Sequence, residues 1–261
     1  GYATAIILWL QVLALVLYIR AHSHFHNFKP FERLDRPNPR VIAHLLRVGL
    51  PIAMTIFVEG SLFVAAALLI GRLGPVPAAG HLVAVNFAAL LFMIPLGLAS
   101  AITTRTGNAL GRGDPEGARY AGMIGLFLVL CIQAVSALVI ITLPEQIVGL
   151  YTDDQAIASV AVSLLWYAAI FQFPDGIQVC AAGALRGYKD TVAAAIYNVV
   201  SYWLVGLTLG YYLTFHREMG PAGMWIGMIS GLTSGSILLF SRFWRRSARL
   251  VREKERVASA T

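Results

Sequence analysis

The chain has 261 residues, of which 58% are hydrophobic and 13% are charged, and its mean hydropathy is +0.71. Soluble domains are about half apolar and about a quarter charged, so this composition excludes an ordinary water-soluble globule. It also excludes a disordered chain, which needs low hydrophobicity and high net charge. The net charge of +7 would fit nucleic acid, but the basic residues lie in short, separated loops, and we expect no nucleic-acid partner.

Seven apolar stretches are about 20 residues long, the length that a helix needs to cross a hydrocarbon core. They are 2–19, 48–71, 81–104, 121–143, 157–185, 192–215 and 223–240. In lipid a chain must satisfy its own backbone hydrogen bonds, so we expect helices and no open strands. The predicted fold class is all-α integral membrane, with about seven transmembrane helices. Both cysteines, Cys131 and Cys180, lie in apolar runs, which argues against a disulfide framework.

The basic residues predict the orientation of these spans. Eighteen of the twenty Lys and Arg residues lie in four alternate segments, 20–47, 105–119, 186–191 and 241–261. The positive-inside rule makes those segments cytoplasmic. The N-terminus of the chain is then outside and its C-terminus inside.

Two acids interrupt the apolar stretches. Glu59 lies at the middle of the span 48–71, and Asp175 lies about 15 Å from the end of its span, at 1.5 Å per residue. An ionised side chain at that depth costs about 2.5–3.5 kcal/mol. Because no Lys or Arg lies inside a predicted span, each acid must face a wet cavity, bind a cation or be protonated. The alternative is a hydrogen-bonded carboxylic acid with no role in transport.

Other residues in the spans predict local features of the helices. Pro174 precedes Asp175, lacks an N–H, and is expected to kink its helix. Asp114, followed by Pro115, fits a helix N-cap, and Thr152 with Gln155 fits a capping box. Glycines at every fourth position of the last span predict close approach of another helix. They are Gly223, Gly227, Gly231 and Gly235.

Several motifs resemble the MATE (multidrug and toxic compound extrusion) transporters of the NorM type, from their seventh helix onward. These motifs are Gly49-Leu50-Pro51-Ile52 with Glu59, the run from His81 to Asn86, Pro95-Leu96-Gly97, the run from Arg105 to Gly111, and the run from Gln172 to Thr191. The resemblance covers essentially the whole chain. It implies helices 6–12 of a twelve-helix fold with two lobes.

The resemblance also assigns parts to the chain. Residues 1–19 are the last helix of an N-terminal lobe, 20–47 an inter-lobe linker, 48–240 a C-terminal lobe of six helices, and 241–261 a basic cytoplasmic tail. We therefore expect a fragment whose partner is the missing N-terminal lobe. The implied activity is export of organic cations and drugs in exchange for H⁺ or Na⁺, across a bacterial inner membrane. No other cofactor, no metal centre and no catalytic activity are expected.

Site residues follow from the same resemblance. The acids matching Glu59 and Asp175 bind the coupling cation, and Phe63 resembles an aromatic substrate contact. Phe171 stands where sodium-coupled relatives often carry a Tyr, and it offers no oxygen to a hard cation, which favours protons. The remaining cavity candidates are Gln178, Asp153 and Asp154. The last two lie on the predicted outer loop, where helix capping is the alternative.

Two other classes of protein have features in common with this chain. A seven-helix receptor shares the predicted topology, but a retinal protein needs a Lys within a helix, and Lys29, Lys189 and Lys254 all lie outside the spans. Gly111-Arg112-Gly113-Asp114 matches the short pattern of intramembrane aspartyl proteases. It lies in a basic loop, however, without a second acid to share a proton.

Overall fold

The computed structural model describes residues 2–22 and 38–259, and in these residues it contains helices and no strand. Seven helices are long and apolar enough to cross a membrane, as predicted. They are α1 (Tyr2–Ala21), α2 (Pro39–Gly71), α3 (Pro75–Gly111), α4 (Pro115–Thr142), α6 (Gln155–Gly187), α7 (Thr191–His216) and α8 (Pro221–Ala258). The loop between α4 and α6 contains a short helix of six residues, α5 (Pro144–Gly149), which hydropathy did not predict.

The chain divides into two compact units, Gly1–Leu45 and Leu46–Thr261. In the first unit, α1 buries none of its residues, as expected of a helix whose apolar sides face lipid or another protein. Most of the predicted linker 20–47 lies outside the described residues. Its end is helical, because α2 begins at Pro39, a favoured first residue for a helix.

In the second unit, α6 is the central helix. It buries 18 of its 33 residues, mostly small or aliphatic ones, against α3, α4 and α8. Small residues allow this close packing. A Cβ atom on Gly183 would lie 2.6 Å from the carbonyl oxygen of Ala99 on α3. Helices in membranes associate mainly through such close van der Waals contact.

Aspartates cap two of the helices. Asp114 accepts a hydrogen bond of 2.9 Å from the Gly117 N–H at the start of α4, as predicted. At the start of α6 the cap is Asp154, which accepts from the N–H groups of Ala156 and Ile157 at 2.8 and 3.3 Å. The predicted capping box on Thr152 is wrong, since Thr152 accepts only from the Asp154 N–H.

The glycine stripe on α8 meets α7, as predicted. A Cβ on Gly231 would lie 2.8 Å from the Cα of Gly206, and α7 is π-helical over Val200–Leu207 and Tyr212–His216. π-helical turns are uncommon and occur often at functional sites. The close contact therefore holds the partly π-helical α7 against the regular helix α8.

Three of the basic segments meet at one end of the second unit. Arg242 of α8 pairs with Asp190 at 2.8 Å, and Lys254 lies 3.6 Å from Glu116. The guanidinium carbon of Arg119 lies 4.4 Å from the centre of the Trp244 ring. Most of the predicted basic tail 241–261 is helical, because α8 continues unbroken to Ala258.

Candidate functional site

A cavity of about 270 Å³ in the second unit is lined by residues of four helices. α2 provides Glu59 and Phe63, α3 provides Val85, Ala88, Ala89 and Phe92, α6 provides Phe171 and Asp175, and α8 provides Trp225. The lining is apolar and aromatic except for the two carboxyl groups. The cavity thus contains both acids that the sequence analysis placed within the apolar spans.

The two acids differ in how they are held. Glu59 is half-buried on α2, whereas Asp175 is 3% exposed on α6. Among the described residues, none donates a hydrogen bond to Oδ1 of Asp175. A buried acid without a hydrogen-bond partner is costly when ionised. Binding of a cation or a proton would neutralise the carboxylate of Asp175 and remove this cost.

No basic residue of the described ranges 2–22 and 38–259 lines this cavity. Arg186, which the sequence places at the start of a cytoplasmic loop, belongs to the last turn of α6 and is half-buried. Its charge attracts that of Glu59, but the two side chains form no ion pair in the described part of the chain. The sequence did not place Arg186 in a helix, because α6 ends at Gly187, beyond the predicted end of the span.

Aromatic rings form one wall of the cavity. The ring centres of Phe63 and Phe171 lie 5.9 Å apart, and those of Phe171 and Trp225 lie 5.6 Å apart, both edge to face. Trp225 in turn contacts His81 edge to face at 5.9 Å. His81 itself is 1% exposed and lies within α3. Aromatic faces attract organic cations, and edge-to-face packing fixes their positions.

The other predicted site residues lie elsewhere. Gln178 is buried, but it does not line the cavity, and neither do Asp153 and Asp154. Asp153 is exposed and borders a separate groove with Glu145 and Thr152, while Asp154 caps α6. α6 continues through Pro174, whose missing N–H leaves the carbonyl of residue 170 without its helical partner.

Other buried polar residues lie on α4, α6 and α7. Nε2 of Gln133 donates to the backbone oxygen of Gln172 at 2.7 Å and to its side-chain oxygen at 3.0 Å. Asn198, Ser201 and Tyr202 of α7 are fully buried, and their side-chain polar atoms have no partner among the described residues. Sequence reasoning missed all of these, although polar residues within an apolar span were a signal that could have identified them.

Comparison with known proteins identifies the family of this chain. A profile of the MatE family matches residues 51–212. The "Probable multidrug resistance protein NorM" of Xanthomonas campestris pv. campestris is 50% identical over 96% of this chain and 55% of its own length. The "Multidrug resistance protein PmpM" of Pseudomonas aeruginosa is 41% identical over 98% of this chain and 55% of its own length. This chain thus spans about half the length of these relatives.

A solved structure shares the fold. The "eukaryotic MATE transporter AtDTX14" superimposes with a TM-score of 0.82 and 26% sequence identity, covering 94% of this chain and 56% of that one. The profile covers more than half of the chain, and both named relatives are more than 40% identical over nearly all of it. The chain belongs to the MatE family of multi-pass membrane proteins.

Proposed function

We propose that this chain forms one half of a cation-coupled antiporter that exports organic cations and drugs. The observation that carries the proposal is the presence of Glu59 and Asp175 in one aromatic cavity, which is lined by no basic side chain in the part of the chain that the structure describes. Two relatives named multidrug resistance proteins support it. The complete transporter requires a partner lobe. That lobe would correspond to the part of those relatives that this chain does not match.

Exchange requires that the exported cation and the coupling ion compete for the same charges. A ligand shifts a conformational equilibrium only by its difference in affinity for the two states. When a coupling ion neutralises Glu59 and Asp175, the cavity loses its attraction for an organic cation. Release to the outside then follows, and return of the coupling ion to the cytoplasm restores the attraction.

We propose the proton as the coupling ion. Hard cations such as Ca²⁺ take six or more oxygen ligands, and Na⁺ likewise prefers an oxygen shell. The side chains that line the cavity offer oxygen only at Glu59 and Asp175, because Phe63, Phe171 and Trp225 have none to give. A proton needs one carboxyl oxygen and no shell.

We also propose that the end where the basic segments meet is cytoplasmic, in a bacterial inner membrane. Arg119, Asp190 and Arg242 belong to segments that the positive-inside rule assigns to that side. The protease alternative is not favoured, because Asp114 of the Gly-x-Gly-Asp pattern caps α4 and lies outside the cavity.

The test uses vesicles that contain the complete transporter to which this chain contributes. Efflux of a fluorescent organic cation is measured under an imposed proton gradient and then under a sodium gradient. We expect the proton gradient alone to drive efflux, and Glu59→Gln to lower the rate at least about tenfold, as the loss of about 1.4 kcal/mol of coupling implies. Glu218→Gln, which neutralises an exposed loop acid, is the matched control.

Two results would contradict the proposal. Efflux by Glu59→Gln at the rate of the control would give Glu59 a structural role only. Efflux driven by sodium and not by protons would overturn the choice of coupling ion while leaving antiport in place.

A second prediction concerns the aromatic wall. Phe63→Ala removes a ring at the cavity, and a cation–π contact contributes about 0.5–2 kcal/mol, so we expect the apparent affinity for an aromatic cation to fall about 2- to 30-fold. Phe57→Ala on the same helix, whose ring is 69% exposed and outside the cavity, is the control. Concentration dependence of efflux gives both affinities, and equal values for the two variants would remove Phe63 from the substrate site.

A further inference from the structure

A second pocket lies where α8 passes from apolar to basic residues. It has a volume of about 230 Å³ and is lined by one tyrosine of α7 and four arginines of α8. These residues are Tyr197, Arg242, Arg245, Arg246 and Arg249. Residues three, four and seven positions apart share one side of a helix, so the arginines converge on one pocket.

Hydrogen bonds hold the first of these arginines in place. Arg242 donates to both carboxylate oxygens of Asp190, from Nε at 2.8 Å and from Nη2 at 3.2 Å. Arg249 pairs with Glu253 at 2.7 Å, whereas Arg245 and Arg246 are exposed and in no ion pair among the described residues. Two acids thus offset two of four arginine charges, and two positive charges remain for a ligand.

The pocket lies beside surfaces that suit lipid chains. Leu238 is one helical turn before Arg242, and Ile237 next to it is 61% exposed. On α7, Val200 and Leu204 follow Tyr197 at one and two turns and are 39% and 67% exposed. A soluble anion would leave this apolar surface uncovered, whereas the acyl chains of a lipid would cover it.

We propose that this pocket binds the phosphate group of an anionic phospholipid headgroup, with the acyl chains along the exposed apolar side chains of α7 and α8. Guanidinium groups bind phosphate oxygens through paired hydrogen bonds. Nε of Arg245 donates to the backbone oxygen of Ser241 at 3.2 Å, so Arg245 offers its two terminal nitrogens, and Arg246 adds a second guanidinium group. The hydroxyl of Tyr197 adds a donor at the edge of the membrane. Basic pockets between transmembrane helices on the cytoplasmic side bind anionic headgroups in this way.

The test uses the purified chain in detergent micelles, titrated with phosphatidylglycerol and, for comparison, zwitterionic phosphatidylcholine. Native mass spectrometry counts the bound lipids. We expect saturable binding of one phosphatidylglycerol, and at least about a tenfold loss of affinity in the double variant Arg245→Gln/Arg246→Gln, since each basic residue near the surface contributes about 1 kcal/mol. The control, Arg252→Gln/Arg256→Gln, removes the same charge from the same helix beyond the pocket.

Three outcomes would overturn the proposal. Equal losses in the two double variants would show diffuse attraction to the whole basic helix and no defined site. Equal binding of both lipids would show that net charge is not recognised. Displacement of the lipid by inorganic phosphate at similar concentration would indicate a site for a soluble anion.

A second double variant covers the case in which the glutamine variant does not fold. Arg245→Lys/Arg246→Lys keeps the charge but loses the paired donors, and an unchanged lipid affinity in this variant would contradict recognition by the guanidinium groups. None of these readouts depends on transport.

Discussion

Asp175→Asn is expected to abolish coupled efflux while leaving the helices assembled. The substitution keeps the size of the side chain but removes the carboxyl group that we propose binds the coupling ion, at a position 3% exposed inside the cavity. Coupling free energies between sites reach about 3 kcal/mol, which corresponds to a loss of about 150-fold in the gradient-driven rate. We expect a larger effect than at Glu59, because Asp175 is almost fully buried whereas Glu59 is half-buried. The measurement is the rate of efflux of a fluorescent cation against its gradient in each variant.

The matched control is Asp114→Asn. It removes one aspartate charge outside the cavity and preserves the cap of α4, since Asn and Asp are equally good N-cap residues. Wild-type efflux in the control shows that loss of an acid as such does not stop transport. Gradient-driven efflux by Asp175→Asn at the same rate as the control would show that Asp175 does not couple the two fluxes.

The number of helices was predictable because hydropathy over about 20 residues is a local property of the sequence. Their ends were not. α3 begins at Pro75, six residues before the predicted start at His81, and α8 continues past the apolar stretch to Ala258. Hydropathy reports the thickness of the lipid, whereas a helix ends where its backbone partners and caps end. Hydropathy therefore underestimates the length of helices that extend beyond the lipid.

The cavity was predictable only in part. Resemblance to the family brought Glu59, Phe63, Phe171 and Asp175 together, and the structure places all four in one cavity. Gln178 shares the face of Phe171 on α6 but lies about 10 Å further along the axis, so helical periodicity alone did not distinguish the two. Trp225 comes from the last span, where no local pattern marks a residue that contacts α6. Contacts between helices depend on packing that a single sequence does not encode locally.

The glycine stripe leads to the second large effect, a loss of stability in Gly227→Ala. A Cβ at this position would collide with the Cα and N of Gly210 and lie 2.6 Å from the carbonyl oxygen of Gly206. These are backbone atoms of α7, which cannot move aside as a flexible side chain does. Overpacking of this kind costs about 1–3 kcal/mol, and it outweighs the about 1 kcal/mol by which Ala favours a helix over Gly.

Gly235→Ala on the same stripe is the control, because its Cβ would meet Ser201 at an ordinary contact distance of 3.4 Å. We expect the thermal midpoint of the chain in detergent to fall in Gly227→Ala and to stay level or rise in Gly235→Ala. Since lipid provides no hydrophobic force between helices, the close fit of α8 against α7 is itself the stabilising interaction. Equal midpoints in the two variants would mean that the helices lie further apart than the structure places them. A lower midpoint at Gly227 alone would show that this contact holds α8, and with it Trp225, at the cavity.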